Sequence, residues 1–216
     1  MPRVTKKALR ERWDEKSVAG AVACIESGDL TAAPFGREPE HNRWDFRGIP
    51  YPGRTPFPRG RSFADLDLSY MPQHGFGTTE WTACGFAGAV IATVGRCTFT
   101  HCDCSRLNLS GSWVNQNTFT NCDLGKASFR GGMLQDCVFT KCDMRDCNFQ
   151  KLQYATNIQL DGCDLRGSKF GGSEFHDNVI GSWTITNCDL TDVEWNETNP
   201  ALATIVNCKG YPPGKA

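Results

Sequence analysis

Bulky apolar residues recur at every fifth position through most of this chain, and few folds can use such a period. The first run is Leu66, Met71, Phe76, Trp81, Phe86 and Ile91. After a three-residue slip near Val94-Gly95-Arg96 the spacing resumes at Phe99. It continues, with the small Cys104 in phase, through Leu109, Val114, Phe119, Leu124, Phe129, Leu134, Phe139, Met144, Phe149 and Tyr154. A one-residue slip near Ala155 precedes Leu160, Leu165, Phe170, Phe175, Ile180, Ile185, Leu190 and Trp195. An α-helix turns ~100° per residue, so steps of five would scatter these groups all round it. In extended chain, residues two apart share a side. Two residues before each centre stands a second, mostly small set that includes nine of the twelve cysteines. Both sets face inward if the chain turns a corner every five residues, and the corners then close a coil.

The number of corners per coil is also written in the chain. Thr98-Phe99-Thr100-His101-Cys102-Asp103 returns as Thr118-Phe119-Thr120-Asn121-Cys122-Asp123 and as Val138-Phe139-Thr140-Lys141-Cys142-Asp143, each time after 20 residues. Four fives therefore make one turn. Asp161-Gly162-Cys163-Asp164 arrives 21 residues later, as expected if one residue near Ala155 bulges from the wall. The 26 centres make 26/4 = 6.5 coils, and stacking at ~4.8 Å predicts a rod about 31 Å long.

Ala64-Asp65-Leu66, Cys122-Asp123-Leu124, Cys163-Asp164-Leu165 and Cys188-Asp189-Leu190 resemble the A(D/N)LXX consensus of the pentapeptide-repeat family. The resemblance covers about 62–195. It implies an all-β fold, the right-handed quadrilateral β-helix, with Cys here taking the place of the usual Ala. The expected organisation is an N-terminal helical cap and Pro-rich strap over 1–61, the β-helix over 62–208, and a C-terminal tail over 209–216.

Thr5 is placed to cap a helix, and Leu9, Trp13, Val18, Ala21, Val22 and Ile25 form an apolar stripe that Gly28 ends. One or two short helices are predicted, positioned to cover an open end of the coil. Residues 34–61 hold six of the eleven prolines, which suits an irregular strap. Asp45-Phe46-Arg47-Gly48-Ile49 reads as a stray repeat unit from which the coil can begin.

Neither a secretory signal nor an apolar run of membrane-spanning length is present, so a cytoplasmic protein without membrane contact is expected. Thiols stay reduced there, and twelve cysteines call for another explanation than disulfides. His101-Cys102-Asp103-Cys104 is the most metal-like string, but no CxxC pair accompanies it. The repeat sends Cys102 and Cys104 into the core, so no metal site and no cofactor are predicted. The four histidines lie at unrelated positions without a nucleophile elbow or a phosphate loop. No catalytic residue is assigned, and the chain is read as a non-enzyme.

What remains is the outer surface. Residues 1–61 carry 12 Lys and Arg against 8 Asp and Glu, whereas 62–200 carry 9 against 16. The acidic body argues against direct nucleic-acid binding. Asp103, Asp123, Asp143 and Asp164 should stand ~4.8 Å apart on one face, where they either hydrogen-bond the local turn or form a contact surface. Trp113, one position before its centre, should face outward beside Asn115 and Gln116. The slip at Ala92–Arg96 is either a projecting loop or a bulge.

Resemblance to topoisomerase-protecting members of the family implies a DNA mimic that binds DNA gyrase or topoisomerase IV, in antibiotic resistance or self-resistance. The alternative is a scaffold or adaptor that binds another protein through its N-terminal region or the Trp113 face. A homodimer is left open.

Overall fold

Four walls, each about five residues long, wind into a parallel β-solenoid of about 7 turns with two helices at its N-terminal end. This computed structural model describes residues 5–52, 57–72, 74–172, 182–196 and 198–211. Phe175 and Ile180, expected as inward centres, lie outside the described residues.

The first wall is an eight-stranded sheet. It stacks β2 (Arg61–Ala64), β5 (Thr79–Thr82), β7 (Thr98–Thr100), β9 (Thr118–Thr120), β11 (Val138–Thr140), β14 (Ile158–Asp161), β16 (Trp183–Thr186) and β17 (Thr204–Val206). Seven spacings of ~4.8 Å make it about 34 Å long, half a coil more than the expected 6.5. The second wall begins with β1 (Trp44–Asp45) on β3 (Leu66–Asp67) and continues as single bridges. Pairing therefore reaches back to the stray unit at Asp45. On the third wall lie β12 (Asn148–Gln150) and β15 (Lys169–Gly171). The fourth wall is a five-stranded sheet of β4 (His74–Gly77), β6 (Ile91–Gly95), β8 (Trp113–Asn115), β10 (Met133–Gln135) and β13 (Tyr154–Thr156).

The alternation of extended chain sends the predicted centres inward, and Phe99, Phe119 and Phe139 pair in register with Trp81 below and Leu160 above. Wall follows wall through tight corners whose residues hold positive φ, 54° at His101 and 52° at Asn121 and Lys141. A single left-handed residue costs of order 1 kcal/mol, and each corner is held by a hydrogen bond to the next coil, such as Asn121 N–H to the Thr140 carbonyl at 2.9 Å.

Two sequence expectations are corrected and one open choice is decided. The first coils are 18 residues long, from Phe63 to Trp81 and from Trp81 to Phe99. Leu66 and Met71 therefore fall into the columns of Cys84 and Ala89, the small positions, and Leu68 takes the centre. The slip at Ala92–Arg96 is a bulge and not a loop: His74 pairs with Ile91 and Gly75 with Thr93, so Ala92 is left without a partner and Ile91 and Val94 both face inward. Finally, the extra residue of the 21-residue coil falls before Tyr154. Met133 pairs with Tyr154 and Leu134 with Ala155, so Ala155 is the inward centre and Tyr154 faces solvent.

At the N-terminal end, α1 (Lys6–Glu11) is capped by the Thr5 hydroxyl, and α2 (Glu15–Ser27) closes on Gly28 at φ 80°. Trp13, Ala21 and Ile25 bury against Phe46 and Ile49 of the first coil, and the Trp13 Nε1–H donates to the Arg47 carbonyl at 2.9 Å. Gly48, at φ 73°, lies so close to α1 that a Cβ would stand 2.9 Å from the Leu9 carbonyl oxygen. The buried Glu38 carboxylate holds the strap's turn by accepting from the backbone N–H groups of Glu40, His41 and Arg43.

Candidate functional site

Among the described residues the interior offers no site. Its four columns of side chains fill the tube, and eleven of the twelve cysteines are buried, with only Cys208 half-buried. Cys84, Cys102, Cys122, Cys142, Cys163, Cys188 and Cys208 form one ladder beside the first wall. Each thiol lies within hydrogen-bond reach of a carbonyl one coil below, for example Cys122 of that of Phe99 at 3.4 Å and Cys142 of that of Phe119 at 3.5 Å, and of the carbonyl two residues back in its own coil, so its S–H donates to one of the two. This weak bond is a reason for Cys where Ala would fill the space. Burial pushes the Cys137 thiol up to about 11, away from the thiolate a nucleophile needs. Among the described residues no group of three or more His, Cys, Asp and Glu side chains is arranged to hold a metal ion, and no helix is long and apolar enough to cross a membrane.

The predicted acidic column is assembled on the second wall. Asp103, Asp123, Asp143 and Asp164 bridge in register. The column is longer than expected, since Asp45 and Asp67 extend it below and Asp189 above. The signal for these three was present as Asp one place before a centre, but the altered phase of the first coils hid two of them. Gly85 is the one gap, where a Cβ would stand 2.7 Å from the Asp67 carboxylate.

Each of these carboxylates has a local task. One oxygen accepts the backbone N–H two residues on: Ser105 for Asp103 at 3.0 Å, Gly125 for Asp123 at 2.8 Å, Arg145 for Asp143 at 3.1 Å and Arg166 for Asp164 at 3.2 Å. This is the Asx turn, which shapes the corner without needing the charge.

The charge is then distributed unequally along the column. Arg145 lies over Asp143, with Nε 2.9 Å from Oδ1, and Arg166 repeats the arrangement on Asp164 at 2.8 Å. These bonds hold both carboxyls below the usual range. Lys209 reaches Asp189 at 3.2 Å, and below, Arg12 and Arg47 clasp Asp45. Between the two neutralised stretches, Asp103 and Asp123 have no ion-pair partner among the described residues. Partial burial, then the charges of Asp103 and Asp143, raise the Asp123 carboxyl. The continuous acidic stripe is thus confined to two coils.

The other sequence candidate, Trp113, is 52% exposed on the fourth wall, away from the acidic column. In register above it stand Met133 and then Tyr154, which is 51% exposed. The sequence pointed to Trp113 alone, because it assigned Tyr154 to the core.

Comparison with known proteins agrees with this architecture. The family model described as Pentapeptide repeats matches residues 118–151, in eight copies. No curated protein sequence matches the chain. Among solved structures, the chain is similar to a trypsin-treated form of QnrB1, a plasmid-mediated fluoroquinolone resistance protein. The two are 21% identical with a TM-score of 0.40, over 68% of this chain and 78% of that one. It is also similar to HetL, a pentapeptide repeat protein involved in heterocyst differentiation regulation from the cyanobacterium Nostoc sp. strain PCC 7120. There the identity is 14% and the TM-score 0.37, over 70% of this chain and 81% of that one. These are likenesses of fold.

Proposed function

We propose that this chain, a pentapeptide-repeat protein, is a non-enzymatic binding protein whose second wall docks on a protein that ordinarily receives DNA. The observation that carries this reading is the pair Asp103 and Asp123. Their carboxylates are stacked in register on an exposed wall, each has its turn satisfied through one oxygen, and among the described residues neither is in an ion pair. A rigid row of such charges presents the repeating anionic pattern that a DNA-binding groove attracts. Carrying no basic stripe of its own, the same wall is poorly suited to nucleic acid itself.

A type II topoisomerase, DNA gyrase or topoisomerase IV, is the partner class implied by resemblance to the topoisomerase-protecting members. The test is a supercoiling assay with purified gyrase, with and without a topoisomerase poison. Micromolar protein is expected to inhibit the enzyme or rescue it from the poison, and the double variant Asp103→Asn with Asp123→Asn to lose that effect while keeping its melting temperature. Absence of any effect of the wild-type protein removes the topoisomerase reading.

A second reading, an adaptor for another protein, is favoured by the exposed Trp113 on the opposite wall. It is separated by the variants: an adaptor would retain binding to its partner when the two aspartates are replaced and lose it with Trp113→Ala.

A further inference from the structure

Bulk is unevenly distributed along the fourth wall. Each of its five strands, with the corner that follows, presents three outward positions, fifteen in all. At β4 and β6 these are small, Gly75, Gly77, Thr78, Thr93 and Gly95, except for Arg96 at the β6 corner. At β10 and β13 they are larger, Met133, Gln135 and Asp136, then Tyr154 and Asn157, with Thr156 the one small residue. Trp113, Asn115 and Gln116 of β8 stand in the middle, since the strand order is β13-β10-β8-β6-β4. The only charges among the fifteen are Arg96 and Asp136, in the same corner column and one coil to either side of Gln116.

We propose that a second copy of this chain docks on this wall, forming a two-fold dimer whose axis runs along β8 with the two rods antiparallel. Rotation about the strand direction keeps every column over itself and reverses the order of the coils. Trp113 then meets Trp113 of the second copy, Met133 lies on Thr93, and Tyr154 lies over Gly75. In the next column Gln135 falls on Gly95 and Thr156 on Gly77. Each large residue thus meets a small one, as packing at interior density requires.

The same rotation sets Arg96 against Asp136 of the second copy, and Asp136 against its Arg96, so the two charges among these fifteen positions are matched twice. Their present hydrogen bonds hold them in that column: Arg96 Nε donates to Gln116 Oε1 at 3.0 Å, and Asn157 Nδ2 to Asp136 Oδ1 at 2.8 Å. An axis along the rod would instead place each coil over itself, large on large at β10 and glycine over glycine at β4. A partner of different sequence would have no reason to match both gradients.

Trp, Met and Tyr in a charge-poor centre are the residue types that interface cores favour. The five described strands span four strand spacings, ~19 Å, with the Arg59 side chain at their lower edge beside Gly77, so the area they bury falls in the range of weak, transient interfaces and association in the micromolar to millimolar range is expected. The acidic pair Asp103 and Asp123 stays uncovered on the opposite wall, and the inference does not depend on the function proposed for it.

Sedimentation of the full chain over a range of concentrations tests the proposal. Wild-type protein is expected to show a reversible monomer–dimer equilibrium. Arg96→Asp alone and Asp136→Arg alone should each weaken it roughly tenfold or more, because like charges then face each other twice. An equimolar mixture of the two variants should dimerise again, since both cross-pairs become attractive. Melting temperatures of the variants close to wild type exclude misfolding, and recovery in the mixture excludes it independently. A wild-type protein that stays monomeric at millimolar concentration overturns the proposal. So does a dimer indifferent to both variants, which must use another surface, and so does a mixture that stays monomeric.

Discussion

The ring of Phe119 lies flat against that of Phe139, with centroids 5.0 Å apart and planes within 6° of parallel. Phe99 continues the stack below at 4.5 Å, and Phe129, Phe149 and Phe170 form a second stack at 4.9 Å per step. Twenty residues along the chain have become one coil along the rod, and the aromatic columns fix the register of every wall they touch.

Loss of one ring from such a column leaves a cavity that its neighbours in adjacent coils cannot close without moving whole strands. Phe119→Ala is expected to cost about 3–5 kcal/mol, and Phe119→Leu distinctly less. Denaturant unfolding of the two variants measures both, and a cost under 1 kcal/mol for the alanine would show that the coils slide to fill the gap.

Asp45 joins the helical cap to the first coil. Its carboxylate receives Arg12 at 2.8 Å and Arg47 at 2.8 Å. Burial alone would raise its pKa, but the two guanidinium groups outweigh that and hold it well below the ordinary value. A group depressed in the folded state contributes stability above its unfolded pKa of about 4 and loses that contribution as pH falls through the acid range. Arg12→Ala should destabilise the protein by about 3 kcal/mol at neutral pH. It should also expose the segment after α2 to proteolysis and flatten the acid limb of a plot of melting temperature against pH.

Asp123 behaves in the opposite sense. Its carboxyl is raised by partial burial and by the flanking charges of Asp103 and Asp143. Its ionisation therefore opposes folding, and the favourable contribution present below pH 4 is lost as pH rises through its folded value. Asp123→Asn keeps an oxygen for the Gly125 N–H, so at neutral pH and low salt it should be neutral or stabilising by a few tenths of a kcal/mol. The gain should shrink with added salt and vanish in acid. A clear loss of stability in thermal melts would mean that the turn needs the carboxylate charge.

Thiol accessibility checks the ladder. With eleven cysteines buried and Cys208 half-buried, an Ellman titration of the native protein is expected to register at most one thiol, and twelve after denaturation. A chelator should leave the melting temperature unchanged. Several fast native thiols would show that the column opens.

Much of this was legible in the chain. The period of five excluded a helix, the period of twenty set the four walls, and both follow from where a side chain can point in extended backbone. Phe99, Phe119 and Phe139 went inward, Trp113 outward, and the four aspartates onto one face, because local geometry repeats without reference to distant residues. The slips were not legible in this way. Only the pairing of whole coils decided that the first turns take 18 residues, that Leu66 and Met71 fill small positions, and that the extra residue precedes Tyr154 and turns it out beside Met133 and Trp113. A one-residue choice of register reverses every side chain after it, and that choice is made by hydrogen bonds to the neighbouring coil. Charge divides in the same way: the sequence sets Arg145 and Arg166 two residues after Asp143 and Asp164, where Ser105 and Gly125 follow Asp103 and Asp123, but only the closed corner, which turns both side chains out of one wall, decides that each arginine folds back over its own turn's carboxylate.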